Sequence, residues 1–240
     1  MWINGGPGAA SGLGAFMELG PCSIELESTG ANRTRWNPHS WNTNANVFFL
    51  DQPVGVGFSY ADNGVHVYDT PEAARDVEVF VNLFFEVFEE FKARPFHLAG
   101  ESHGGRYVPL FASEIYDGRT KAIKEGRTPV NLQSIMIGNG FTNPVDINPT
   151  AYDIACTPAS GYAPVVDIET CVQMRHALDY FQPLLQSSCV DTLDVIECTA
   201  ATNLVLNAVI GPLQPLNLNP YDIRKVTATT HTTAAISFLV

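Results

Sequence analysis

Charge is scarce in this sequence. Only 16% of its 240 residues are Asp, Glu, Lys or Arg, and 13 basic residues face 25 acidic ones. The net charge of −12 disfavours binding to nucleic acid or to an anionic membrane surface. No uncharged apolar run is long enough to cross a bilayer, so no membrane span is expected. A secretory leader is not expected either, because Trp2-Ile3-Asn4 runs directly into a glycine-rich loop. Five cysteines are too few for a disulfide scaffold, and none has the close paired spacing of a zinc site, so no metal is expected. Internal repeats and blocks of like charge are also missing. The glycine-rich loop lacks a following Gly-Lys-Ser/Thr, which argues against a phosphate loop, and no cofactor is expected.

What remains is the composition of a folded globular chain, 45% hydrophobic, long enough for one large domain or a domain with an insertion. A chain of this length buries roughly 70% of its unfolded surface. The stretch around which the rest is arranged is Gly100-Glu101-Ser102-His103-Gly104, a Gly-x-Ser-x-Gly pattern. Such a pattern puts a serine on a sharp strand-to-helix turn, with its hydroxyl projecting from the end of a sheet. The flanks agree. Phe96-His97-Leu98-Ala99 reads as a short buried strand. Tyr107, Leu110, Phe111, Glu114 and Ile115 then recur at helical spacing to Tyr116, where Asp117-Gly118 predicts the helix end. Gly100 and Gly104 are expected where strand and helix leave little room.

Upstream, residues 1–3 read as the end of a strand, and Asn4-Gly5-Gly6-Pro7-Gly8 as a loop whose amides turn inward together. Residues 11–26 suggest a short helix and turn carrying Glu18. Ala45 to Leu50 predicts a buried strand ending at Asp51. Asp51 to Tyr60 is then a shaped loop at a strand's carboxyl end, where open α/β sheets keep their sites. Thr70-Pro71-Glu72 starts a helix, with Thr70 as the capping hydroxyl and an apolar stripe through Val77, Phe80, Val81, Phe84, Val87, Phe88 and Phe91. Leu132 to Ile137 is a further strand. This alternation predicts a mostly parallel sheet with helices on both faces.

Near Pro144 the alternation stops, leaving weak helical signals at 167–186 and 190–210. The expected division is a core over 1–144, an inserted cap over 145–225 and a divergent tail over 226–240. Cys156, Cys171, Cys189 and Cys198 cluster in the second region while Cys22 stands alone. Five buried thiols satisfy this pattern; two local bridges, and hence an oxidising compartment, fit the clustering better.

Taken together, several blocks carry a resemblance: Trp2 to Gly8, Glu18-Leu19-Gly20-Pro21, Asn46 to Tyr60, Gly100-Glu101-Ser102, Ile137-Gly138-Asn139-Gly140 and Tyr221-Asp222-Ile223-Arg224. In this order the chain, to about Lys225, resembles the serine carboxypeptidase family (peptidase family S10, carboxypeptidase Y-like). The resemblance implies an α/β-hydrolase fold with a helical, disulfide-bearing cap. It implies removal of C-terminal residues from peptides or proteins at acid pH, in a vacuolar, lysosome-like or secreted setting. By the same resemblance Ser102 is the nucleophile, and the backbone N–H groups of Gly6 and His103 form the oxyanion hole. Asn4, Gly5, Glu18 and Glu101 hold the substrate's terminal carboxylate, with Trp2 alongside. The surviving cap bridges it implies are Cys156–Cys171 and Cys189–Cys198, since Phe181 and Val205 stand at two other cysteine positions. Asn32-Arg33-Thr34 is a glycosylation sequon that matters only in a secreted protein.

The chemistry agrees with those roles. A serine needs a base and two fixed N–H donors. Two glutamates suit a carboxylate pocket only if they share protons, because like charges raise a carboxyl pKa.

The departures are equally specific. The family's acid and base follow the serine in the C-terminal part, and this chain is expected to stop before them, so that the C-terminal part of the fold is missing and the polypeptide alone is inactive. The later candidates are His176 and His231, with Asp146, Asp153, Asp167, Asp179, Asp191, Asp194 and Asp222, and both histidines fall far from the expected context. His103 stands where tyrosine is usual. Two alternatives follow: a non-catalytic relative that binds peptide carboxylates, and an esterase or acyltransferase on the same fold.

Overall fold

The computed structural model describes residues 1–25, 33–62, 64–219 and 221–226. The chain forms two compact units, Met1–Phe141 and Thr142–Val240.

The first unit is built on a parallel sheet of β1 (Trp2–Ile3), β4 (Phe96–Glu101) and β5 (Leu132–Gly138), in the order β1-β4-β5. Trp2 pairs with Ala99 and Ile3 with Gly100, while Gly100 pairs in turn with Ile137. Between them the chain forms a hairpin of β2 (Cys22–Glu25) and β3 (Arg33–Trp36), with Cys22 opposite Trp36. The hairpin replaces the turn expected up to residue 26; only the helical half of that expectation, Gly14–Glu18, is present.

Residues 45–50 are not a regular strand. They make one parallel bridge, Trp2 to Phe49, supported by Trp2 N donating to Phe48 O at 2.9 Å and Leu50 N donating to Trp2 O at 3.2 Å. β1 is two residues long, so there is no longer ladder to join. The period of two survives nonetheless: Phe48 and Leu50 pack into the main core, and Val47 and Phe49 pack with Trp2, Leu19 and Ala99 on the other face.

Two helices pack into the main core. α1 (Thr70–Val87) is capped one residue earlier than expected, by Asp69 and not by Thr70. Asp69 Oδ1 accepts from Glu72 N at 2.8 Å, and Glu72 Oε2 accepts from Tyr68 N at 2.9 Å, a reciprocal cap that leaves Thr70 inside the first turn. Its stripe is narrower than expected: Val77 and Val81 are buried, whereas Val87 is 71% exposed. α2 (Gly104–Lys124) runs past Asp117-Gly118 instead of stopping there. A Cβ at Gly118 would lie 2.7 Å from Glu78 Oε1 of α1, so this glycine marks a close approach of two helices. Ile3, Val77, Val81, Leu98, Val108, Phe111 and Ile115 join these elements into one core. On the opposite face the short helix Gly14–Glu18 lies against Trp2.

The second unit holds α3 (Pro144–Cys156), α4 (Ile168–Leu185) and α5 (Val195–Val209), then a hairpin of β6 (Leu218–Asn219) and β7 (Asp222–Val226). α3 was not expected, although Asn143 caps it through Val145 N and Pro144 opens it, a readable start. Met174, Leu178, Leu185, Ala201, Val205 and Val209 form its core. Disulfides join Cys156 to Cys171 and Cys189 to Cys198, and Cys22 is the free cysteine among the described residues. The stretch Val195–Leu216 is long and apolar enough, by length and composition, to cross a membrane. Residues 198–216 of it carry no charge, contrary to the expectation that no uncharged apolar run reaches that length.

Candidate active site

The site grows from the end of β4. Ser102 has φ +58, the left-handed region that a residue with a Cβ rarely adopts. Its own backbone holds it there. Ser102 N donates to Gly138 O at 3.0 Å, and Ser102 O accepts from Gly105 N at 2.9 Å and Phe141 N at 2.8 Å. The elbow is thereby fastened both to the helix it starts and to the turn after β5. Room for the bend comes from Gly100, where a Cβ would sit 2.8 Å from Val108 Cγ2 and 3.0 Å from Ile3 O. The second indispensable glycine is Gly105, not Gly104. A Cβ at Gly105 would lie 2.8 Å from Phe141 N, whereas one at Gly104 meets nothing closer than Ile3 O at 3.7 Å. The short pattern points to Gly104 because sequence spacing does not reveal which side of α2 faces the turn after β5.

The glycine-rich loop is pressed onto this elbow. A Cβ on Gly5 would fall 2.5 Å from both Glu101 O and His103 N and 2.9 Å from Ser102 Cβ. Gly6 follows with φ +108. Asn4, 7% exposed, is the hub of the hydrogen bonds beside it. Its Oδ1 accepts from Trp2 Nε1 at 2.7 Å and Gly14 N at 3.1 Å, and its Nδ2 donates to Glu18 Oε1 at 3.2 Å. Gly14 cannot carry a side chain there, since a Cβ would lie 2.4 Å from Trp2 Nε1. Trp2 meets Trp41 edge to face, with ring centres 5.4 Å apart.

The electrostatics are those of paired acids. Burial, then the neighbouring Glu18 charge and a hydrogen bond with the Glu18 side chain, push the Glu101 carboxyl above its ordinary range. Burial and the Arg106 charge push His103 below its ordinary range. Its ring stands edge-on to Tyr107, centres 4.9 Å apart. Burial pushes the Tyr107 hydroxyl up, partly offset by contacts with the Gly8 backbone and the Gln52 side chain.

The structure thus brings Trp2, Asn4, Gly5, Gly6, Glu18, Glu101, Ser102 and His103 together at the carboxyl end of the sheet. The other candidates lie elsewhere. His176 is exposed on α4. Asp167 and Asp194 cap α4 and α5, Asp146 accepts from Asn143 Nδ2, and Asp153 is exposed on α3. Asp179 pairs with Arg175, Asp191 accepts from Gln186, and Asp222 holds Arg224 and Lys225. Asn32 and His231 fall outside the described residues. Among the described residues no group of three or more His, Cys, Asp or Glu is placed to hold a metal ion. Three residues at the site were missed as participants. Ser11 and Tyr107 were given no role, and Asp51 was assigned to its loop. The glycine-containing run over residues 51–59, at the expected carboxyl end of a strand, carried the signal for the last.

A parallel sheet whose middle strand ends in a serine elbow, with a helix behind and a glycine-rich loop across its tip, defines an α/β-hydrolase. The family model of the serine carboxypeptidases matches residues 1–238, and the chain belongs to that family. It is 44% identical over 224 residues to carboxypeptidase Y homolog A of Paracoccidioides brasiliensis (strain Pb03), a match covering 93% of this chain and 38% of the relative. The corresponding protein of Coccidioides posadasii (strain C735) is 43% identical, over 93% of this chain and 39% of its own. Among solved structures it is similar to Kex1(delta)p, a prohormone-processing carboxypeptidase from Saccharomyces cerevisiae. That likeness has a TM-score of 0.69 at 27% identity and covers 87% of this chain and 44% of the other. The chain therefore spans well under half the length of the relatives it matches.

Proposed function

We propose that this unit is the substrate-carboxylate and nucleophile half of a serine-type carboxypeptidase site. Ser102 is the nucleophile, and the Gly6 and His103 amides are the donors for the tetrahedral oxyanion. Asn4, Gly5, Glu18 and Glu101 receive the C-terminal carboxylate of a peptide, with Trp2 buttressing Asn4. The single observation supporting this reading is the contact of Gly5 with the elbow, 2.5 Å from an added Cβ to Glu101 O and His103 N. A loop this close to the elbow is what two amide donors for one oxyanion require. A protonated Glu101 can donate to a carboxylate, which two ionised glutamates cannot.

The polypeptide by itself binds such peptides without useful turnover. That second half of the proposal is supported by the later acids. Asp167, Asp194, Asp179 and Asp222 are committed to caps and ion pairs. An acidic, oxidising compartment, vacuolar, lysosome-like or secreted, fits the paired glutamates and the two disulfides.

Calorimetry with a blocked dipeptide bearing a free C-terminus, set against its C-terminal amide, tests the reading. The expected result is measurable binding of the acid, at least tenfold weaker binding of the amide, and no released amino acid. Equal affinity for both ends the carboxylate assignment. Hydrolysis of esters without preference for the free carboxylate moves the site to the esterase or acyltransferase alternative.

A further inference from the structure

The geometry points to Asp51 as the positioning residue that sets the shape of this pocket, acting through Ser11; the inference rests on the carboxylate-site reading above. Asp51 makes contacts on two sides. Its Oδ1 accepts from Ser11 N at 2.6 Å and from Gly12 N at 3.4 Å, the amides that open the short helix carrying Glu18. Its Oδ2 accepts from Phe58 N at 2.9 Å, and Ser59 Oγ donates to Asp51 O at 2.6 Å. The shaped loop after residues 45–50 is therefore wrapped around this one carboxylate. Gly57 shows how tightly: it has φ +54, and a Cβ there would lie 2.1 Å from Asp51 Oδ2.

Ser11 passes the constraint on. It is fully buried. Its Oγ donates to Leu50 O at 2.5 Å and accepts from Asn4 N at 3.1 Å. The Asn4 amide is thus committed to Ser11, and the chain can turn there so that Gly5 meets the elbow. Asp51 consequently governs both arms of the pocket, Asn4-Gly5-Gly6 through the Ser11 hydroxyl and Glu18 through the start of its helix. It touches neither substrate nor the reacting atoms. A carboxylate holding three backbone amides is a rigid anchor, because charge-assisted bonds are about twice as strong as neutral ones.

Asp51→Asn replaces one acceptor oxygen with a donor while keeping the shape. Ser11→Ala removes only the hydroxyl relay, and decides the matter if Asp51→Asn does not fold. Hydrogen exchange followed by mass spectrometry is read on residues 4–19 and on 96–116 of the same protein. Both variants are expected to speed exchange over 4–19 about tenfold and to leave 96–116 near the parent rate, since a lost buried bond of this kind is worth about one power of ten. The ratio of affinities for the acid and amide dipeptides should fall about tenfold in both. A residue with a general structural role would speed exchange in both segments alike and leave that ratio intact, and either result overturns the inference. If the parent protein shows no preference for the acid, the carboxylate reading fails, and the exchange pattern still decides whether Asp51 and Ser11 hold the loop.

Discussion

At Glu101 one carboxyl is held out of water next to a second. Because burial and Glu18 raise its pKa, the protonated form persists to higher pH than in a free glutamate. The sign follows directly. A raised carboxyl favours whatever uses its protonated state, below the ordinary range and up through the raised value, and loses it above. Affinity for a peptide carboxylate should therefore rise as pH falls through that window and weaken as Glu101 ionises. In Glu101→Gln, which donates at every pH, the profile should flatten. Titration calorimetry of the blocked dipeptide from pH 4 to pH 8 checks this; an unchanged slope in the variant would falsify the shared-proton account.

Among the elements, β4 and α2 are joined through backbone and not through side chains alone. Ser102 at φ +58 and Gly105 against Phe141 N leave no slack where the strand becomes the helix. Gly105 and Gly118 look alike in the sequence, yet they should respond differently to alanine. At Gly105 the new methyl meets backbone that cannot retreat, costing about 1–3 kcal/mol as other overpacking does. At Gly118 it meets only the end of the Glu78 side chain, which can swing away from Asn82. The helix there gains up to about 1 kcal/mol of propensity. Net change at Gly118 should stay within about 0.5 kcal/mol, the two effects nearly cancelling. Urea melts of the two single variants measure both.

For the molecule as a whole, the two units differ in their cross-links. The cysteine of Met1–Phe141 is the free Cys22, whereas Thr142–Val240 carries Cys156–Cys171 and Cys189–Cys198. Removing a native disulfide costs about 2–5 kcal/mol, because the unfolded chain regains the freedom that the bridge denied it. A reductant should therefore destabilise the second unit and leave the first near its original stability. Hydrogen exchange read separately on the helices α1 and α2 and on α4 and α5, with and without reductant, would show it; equal acceleration in both units would refute it.

The same three scales separate what could be read from residue order alone. The elbow was legible because its physics is local: an apolar run, a bend that favours small neighbours, then helical spacing. The glycine-rich loop and the helix starts at Pro71 and Pro144 are local too, although the start at Pro144 was passed over. Longer-range facts were not available in that way. Nothing in the order of residues says that Gly118 serves helix packing instead of a helix end, or that residues 45–50 find only two residues of β1 to pair with. Nor does it say that Glu18 and Glu101, eighty-odd positions apart, meet at one hydrogen bond. The sequence by itself determined the family, because residue types and short spacings carry it. Only the tertiary structure decided that Asp51 grips Ser11 and Phe58, and so which loop amides are spent on the scaffold. Those pairings are set by chain closure across dozens of residues, and no local propensity encodes them.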